Sequence, residues 1–286
     1  MRIAHLILTY TNAKQTERMI RSMAHENFDF YIHVDKKFDI NPHLFLEALP
    51  NVYFINNRVD IQVAGFSTVL ATFSCIKEIV ATGIQYDFIN FLSGQDYPVK
   101  PAEYINDFFQ KNKGKEFMSF RDIKNDWTEG LIRMENYFLS GYKFRGKYRL
   151  EKLINVIAPK RKLPYNIHPY GKSMFWMLSP ETAIYVVNVV ENNKRLQKFF
   201  SLCWGSDEFV FQTILLNSGH KDKIINNNYR YFEWSDEEKK PRVLNENDFD
   251  TLANSQMLFA RKFDMVNSPK ILDLIDNTLL INGPHS

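Results

Sequence analysis

Asp87-Phe88-Ile89-Asn90-Phe91-Leu92-Ser93-Gly94-Gln95-Asp96-Tyr97-Pro98-Val99-Lys100 is a short apolar run that ends in a small, polar turn. Phe88, Ile89, Phe91 and Leu92 form the kind of run that a parallel sheet covered on both faces buries. Ser93 and Gly94 let the backbone turn at little steric cost. Gln95 and Asp96 then set an amide and a carboxylate just past the strand's carboxyl end, the edge where open α/β sheets bind ligands. Taken alone, the same residues also suit an ordinary strand-to-helix turn, with Asp96 capping the next element.

Outward from this stretch, short apolar runs alternate with helical patterns. Strands are expected over residues 3–8, 28–34 and 52–55, and helices over 13–24, 44–49, 67–80 and 102–110. Ser67 is a candidate N-cap and Gly83 follows the end of its helix. Such alternation implies right-handed βαβ units and a mostly parallel sheet. No G-x-G-x-x-G follows the first run, so a dinucleotide-binding site is disfavoured. Further on, a strand is expected over 117–120 and another over 173–178, with Pro180 opening a helix. Ser206 starts a helix reaching about Asn217, and 271–280 reads as an amphipathic helix. No Gly/Ser/Pro-rich linker divides the chain. We read one domain over 1–286, with a nucleotide-binding half over 1–115 and an acceptor and diphosphate half over 116–286.

Composition narrows the function. At 286 residues and 45% hydrophobic, core size is not limiting. A net charge of +3 is too small to argue for nucleic acid, and no recognition helix or zinc-finger spacing occurs. Cys75 and Cys203 lie among apolar residues and read as buried thiols, which fits a reducing compartment. No run approaches the length of a membrane span, and Met1 to Tyr10 lacks the pattern of a signal peptide. The domain is therefore expected to start almost at the first residue. Residues 143–162 carry Lys143, Arg145, Lys147, Arg149, Lys152, Lys160, Arg161 and Lys162. They read as a solvated face or, more sharply, as a surface for anionic lipid or an anionic acceptor.

Three groups of residues carry chemistry. Trp204-Gly205-Ser206-Asp207-Glu208 places carboxylates beside an aromatic ring before the apolar Phe209-Val210-Phe211. Ser206 can cap the following helix, while Asp207 and Glu208 suit its positive end. A fixed carboxylate there can also deprotonate a sugar hydroxyl, although a helix end would hold it charged and only weakly basic. Tyr231-Phe232-Glu233-Trp234 with Lys239-Lys240-Pro241-Arg242, and then Phe259-Ala260-Arg261-Lys262-Phe263-Asp264, offer an aromatic platform and two well-separated cationic sites. Arg grips a phosphate bidentately and Lys as a point charge. Asp248-Phe249-Asp250 spells D-x-D but ends no apolar strand, so it reads as a loop or helix start. The seven His and two Cys show no metal-ligand spacing.

In this order the motifs resemble the core-2/I-branching β-1,6-N-acetylglucosaminyltransferase and xylosyltransferase family. The resemblance runs through His5-Leu6-Ile7-Leu8, His33-Val34-Asp35, Gly65-Phe66-Ser67, Asn90 to Pro98, Gly171 to Leu178, Ser206-Asp207-Glu208, Pro241-Arg242 and Phe259 to Asp264. It implies a GT-A α/β fold with a Rossmann-like, mostly parallel central sheet flanked by helices. It also implies inversion at the anomeric carbon without a metal or other cofactor. It makes Glu208 the general base and sets Asp35 near the uridine. The tip Ser93, Gly94, Gln95 and Asp96 falls on the donor side, and Arg242 and Lys262 hold the diphosphate. Trp234 becomes the aromatic wall beside the sugars, and Arg133 faces the acceptor.

The chain departs from the animal members in lacking a membrane anchor and disulfides, and Ala64 stands where a Trp is often found. It therefore resembles a bacterial, cytoplasmic relative that builds a surface polysaccharide at the inner face of the membrane. The expected function is transfer of a sugar, first N-acetylglucosamine and second xylose, from a UDP-sugar donor to a glycan or lipid-linked glycan acceptor. Peripheral membrane contact through 143–162 is expected, and nucleic acid is not. The rival readings are an inert sugar-binding relative and a peripheral membrane or nucleic-acid-binding protein driven by 143–162.

Overall fold

The computed structural model describes residues 1–235 and 240–281. In chain order the strands are β1 (Ile3–Thr9), β2 (Phe28–Val34), β3 (Val52–Phe54), β4 (Phe88–Ser93), β5 (Tyr97–Pro98) and β6 (Glu116–Asp122). They continue as β7 (Tyr170–Leu178), β8 (Ile224–Asn226), β9 (Arg230–Phe232), β10 (Trp234–Ser235), β11 (Lys240–Pro241) and β12 (Phe259–Arg261). A seven-stranded sheet has the order β3-β2-β1-β4-β7-β6-β8. Every pair in it is parallel except the two made by β7, which runs against β4 and β6. The expected α/β architecture, mostly parallel with flanking helices, is the one observed.

The apolar runs become central strands because both of their faces are covered. In β1, Ile3 and Ile7 pack on one side while Ala4, Leu6 and Leu8 pack on the other. β4 splits likewise, Phe88 and Leu92 against Ile89 and Phe91. Helices Ser67–Ala81, Pro180–Glu191 and Val210–Leu216 cover the face of Leu6 and Phe91 through Phe73, Val187 and Phe211. Helices Ala13–Ser22, Ala102–Lys111 and Pro269–Leu274 cover the face of Ile7 and Leu92 through Met19, Ile105 and Ile271. Two polar residues inside pair across the strands: Asn90 Nδ2 lies 3.0 Å from His5 Nδ1. Burial drives the His5 pKa down to about 3, so the ring stays neutral.

A second sheet, β5-β12-β9, lays the segment after the Ser93 tip against the chain from 259 onward. That packing brings two regions far apart in sequence to the carboxyl ends of β1 and β4. Local expectations differ at several points. Helix Ser67–Ala81 has Phe66 at its N-cap with no side-chain cap; Ser67 Oγ instead accepts the Gln62 amide at 2.7 Å. The short helix near Leu44 is a 3-10 turn over Asn41–Ala48. Residues 143–162 include a regular helix, Lys147–Ile157. Among the described residues no helix is long and apolar enough to cross a membrane, and both cysteines are free and buried.

Candidate active site

A cavity of about 420 Å³ opens at the carboxyl ends of β1, β2 and β4. Its floor forms where the chain leaves β1. Asn12 adopts a left-handed conformation, φ 53°, and caps helix Ala13–Ser22 by accepting the Gln15 amide at 3.2 Å. Gln15 is buried and joins three segments. Its Nε2 donates to the carbonyls of Gly94 at 2.8 Å and Phe263 at 3.0 Å, and its Oε1 accepts the Met265 amide at 2.7 Å. Gly94 must be glycine for steric reasons, since a Cβ there would overlap Thr9 Oγ1. Ser93, Gly94, Gln95 and Asp35 all line this cavity. Asp35 Oδ1 accepts the amides of Lys37 at 3.0 Å and Ile61 at 3.2 Å, which fixes its carboxylate at the rim.

Asp96, expected on the donor side, does not reach the cavity. It is fully buried, and its Oδ2 accepts Ser93 N at 2.6 Å and Ser93 Oγ at 2.7 Å. Its Oδ1 faces Arg230 Nε at 2.8 Å and Arg261 Nε at 3.7 Å. A carboxylate this well paired is a strut that shapes the Ser93 turn. Two guanidiniums against one carboxylate leave a net positive charge behind the cavity. Both stack on Phe175, at 4.2 Å for Arg230 and 4.4 Å for Arg261. Burial pulls the Arg230 pKa down to about 10 and lowers that of Arg261, but both remain charged near neutrality. Arg261 lines the cavity beside Phe175. Arg230 escaped the sequence reading because nothing local marks it; only the folded sheet brings it to Asp96.

The backbones at Arg242 and Lys262 are adjacent, where the sequence suggests well-separated cationic sites: the Leu244 amide donates to the Lys262 carbonyl at 2.8 Å, and the Lys262 amide to the Arg242 carbonyl at 3.4 Å. Arg242 does not line the cavity. Its guanidinium is shared between Asp248, with Nη1–Oδ2 at 2.8 Å, and Glu233. The D-x-D thus supplies a partner for Arg242: Asp248 ends a 3-10 turn, Glu246–Asp248, and helix Phe249–Asn254 follows. Trp234 also lies outside the cavity lining, 52% exposed on β10 with its ring 6.2 Å from Phe232. Lys239 falls outside the described residues.

Glu208 stands on a 3-10 turn, Ser206–Glu208, that enters from a left-handed Gly205, φ 69°. The α-helix begins only at Val210, without a side-chain cap, and Ser206 Oγ is buried with no hydrogen-bond partner among the described residues. Ser206 is therefore not the expected cap. Arg133, from helix Thr128–Glu135, donates to Glu208 Oε2 at 2.8 Å and also binds Glu129. Its guanidinium lies 4.2 Å from the Trp204 ring centroid and 5.4 Å from that of Trp127. The aromatic wall beside the carboxylate is thus Trp204 and Trp127. The Gly205 amide donates to Ala64 O at 2.8 Å, tying the turn to the loop whose Ile61 and Val63 line the cavity.

Electrostatics overturn the expectation that a helix end holds Glu208 charged. Burial, then the neighbouring Asp207, pushes Glu208 up to about 8; Arg133 opposes this and does not win. Burial likewise raises Asp207 to about 6. Glu208 is outside the cavity's own lining, yet its charge acts on Arg261 within it. A basic carboxylate at the rim and a cationic, aromatic pocket beyond it can together accept a proton and stabilise an anionic leaving group.

The sequence profile of the Core-2/I-Branching enzyme family matches residues 3–253. The chain belongs to that family. The family match covers the cavity floor, the Ser93 tip, the Glu208 turn and Arg242. Among relatives, xylosyltransferase 2 of Rattus norvegicus is 26% identical over 96% of this chain and 33% of its own length. Xylosyltransferase oxt of Drosophila melanogaster is 25% identical over 100% of this chain and 34% of its own. The chain thus spans about a third of the length of these relatives. Among solved structures, the galactosyltransferase LgtC with donor and acceptor sugar analogs aligns at a TM-score of 0.46 and 7% identity, over 97% of this chain and 96% of that one. S. aureus TarS 1–349 in complex with UDP aligns at 0.40 and 11% identity, over 95% and 70%.

Proposed function

We propose that the protein is an inverting glycosyltransferase that moves a sugar from a UDP-sugar to a glycan hydroxyl without a metal. The observation that carries this reading is Glu208, a buried-edge carboxylate with a raised pKa beside a cavity backed by Arg230 and Arg261. Glu208 takes the acceptor proton as the acceptor oxygen bonds to the anomeric carbon. The bond from that carbon to the diphosphate breaks, and its electron pair leaves with UDP. Arg133 anchors Glu208 and lies on the acceptor side, with Trp204 beside it. Asp35 and the Ser93-Gly94-Gln95 tip contact the nucleotide. Arg242 and Lys262, with Arg261, offset the charge that develops on the diphosphate. N-acetylglucosamine is the first donor sugar. Xylose is the second, favoured by the names of the relatives. The free buried thiols fit a reducing, cytoplasmic setting.

Calorimetric titration across UDP-sugars, followed by UDP release over an oligosaccharide acceptor set in EDTA, tests the reading. UDP-N-acetylglucosamine should bind tightest, and release should continue in EDTA. Binding without release from any acceptor would favour an inert sugar-binding protein. A strict need for Mn²⁺ would remove the cations from their leaving-group role.

A further inference from the structure

The helix Lys147–Ile157 buries none of its residues. Its inward side is polar. Glu151 accepts the Leu139 amide at 2.7 Å, and Asn155 accepts Tyr137 N at 2.8 Å and donates to Tyr137 O at 2.7 Å. Its outward side mixes apolar residues and cations: Tyr148, Leu153, Val156 and Ile157 are 70%, 55%, 78% and 72% exposed, with Arg149 and Lys152 exposed between them. Single exposed apolar residues are ordinary, but Val156 and Ile157 follow Leu153 by three and four residues and so adjoin it on the helix, and such a group marks a contact surface.

The charge on this stretch says what the contact is. Arg145, Arg149, Lys152 and Lys162 are exposed around the apolar group, and the acid on the helix, Glu151, is turned inward. Two other cations of 143–162 drop out of this surface. Lys143 pairs with Asp60, and Arg161 is buried, donating to the carbonyls of Met134 at 3.2 Å and Asn136 at 3.1 Å. We propose that this face docks on an anionic lipid bilayer. Large apolar side chains enter the boundary between headgroups and acyl chains, while flanking Arg and Lys meet anionic lipid.

The segment that leads into the docked helix is tied to the Glu208 turn. Ser140 Oγ donates to Ala64 O at 3.2 Å, and the Gly205 amide donates to that same carbonyl at 2.8 Å. Docking through 147–157 would thereby be coupled to the Glu208 turn through Ala64. Docking itself does not depend on the glycosyl-transfer reading.

Co-sedimentation with vesicles tests the proposal. One set is phosphatidylcholine alone; the other is equal parts phosphatidylcholine and phosphatidylglycerol. The protein should sediment with the anionic vesicles at low salt and stay behind with the neutral ones. Arg149→Gln and Lys152→Gln should each weaken binding about fivefold. Leu153→Ser with Val156→Ser should abolish binding while leaving UDP affinity and circular dichroism unchanged, since these side chains face solvent. No sedimentation with anionic vesicles, or equal sedimentation of all variants, would overturn the proposal. So would a dimer in analytical ultracentrifugation that Leu153→Ser with Val156→Ser converts to monomer, because the face would then belong to a second copy.

Discussion

Asp96 and Glu208 are both carboxylates on tight turns next to the cavity, and they do opposite work. Asp96 takes hydrogen bonds from Ser93 N and Ser93 Oγ and faces two guanidiniums. Glu208 has a single arginine, shared with Glu129, and a second carboxylate as its neighbour. The first is held by opposite charge and fixes backbone; the second is buried beside a like charge, which leaves a base with raised affinity for a proton. Proximity to a cavity does not separate the two roles, whereas the balance of donors around each carboxylate does.

Exchanging one charge at each site should break or sharpen this contrast. The largest effect is on turnover. Glu208→Gln should lower kcat by about 10²–10⁴-fold, the range of a general base. UDP affinity should barely move in a direct titration. Asp207→Asn is the control and should retain most of the rate; the reverse ranking would shift the base by one residue.

Asp96→Asn should act on stability instead. It strands Arg230 and Arg261 without their buried counter-charge, a loss of about 3–5 kcal/mol in denaturant unfolding. A destabilisation no larger than that of Glu208→Gln would erase the distinction between strut and base. Arg242→Ala and Lys262→Ala come next. Each should weaken UDP binding about tenfold to a hundredfold, as for a lost charge-assisted hydrogen bond. Affinity equal to wild type for both would leave the phosphate to Arg261.

The smallest effect is a pH dependence of stability. Asp207 and Glu208 have folded pKa values raised above those of the unfolded chain. The folded protein therefore holds more protons than the unfolded one between roughly pH 4 and 8, and stability from these groups falls as pH rises through that window. Glu208→Gln should lose part of this decline and gain on wild type at pH 8 relative to pH 5. A gap between the two proteins that is constant with pH would contradict the raised pKa.

Much of the fold was legible because β1, β2 and β4 are buried on both faces, so their apolar runs are unbroken apart from paired polar residues such as His5 and Asn90. The strand ends were legible for the same reason, and Ser93 to Gln95 with Asp35 followed. What was not legible depends on contacts across the chain. Arg230 meets Asp96 only after β9, β12 and β5 assemble. Arg133 reaches Glu208 from a helix that no strong local pattern marks. Ser67 and Ser206 are ordinary caps by composition, yet one bonds to Gln62 and the other is enclosed, because tertiary packing set the helix starts. Glu208's raised pKa was likewise invisible, since it comes from burial that neighbouring sequence does not encode.

The central claim is that Glu208 is the base and that burial makes it a strong one. The pH dependence of kcat with saturating donor, in wild type and Glu208→Gln, tests it directly. Wild-type kcat should rise with pH along a limb with its midpoint near 8, the value to which Glu208 is raised, and belonging to the Asp207–Glu208 pair together. The residual rate of Glu208→Gln should lack that limb. A limb near the ordinary carboxylate range, or the same limb in both proteins, would contradict the account.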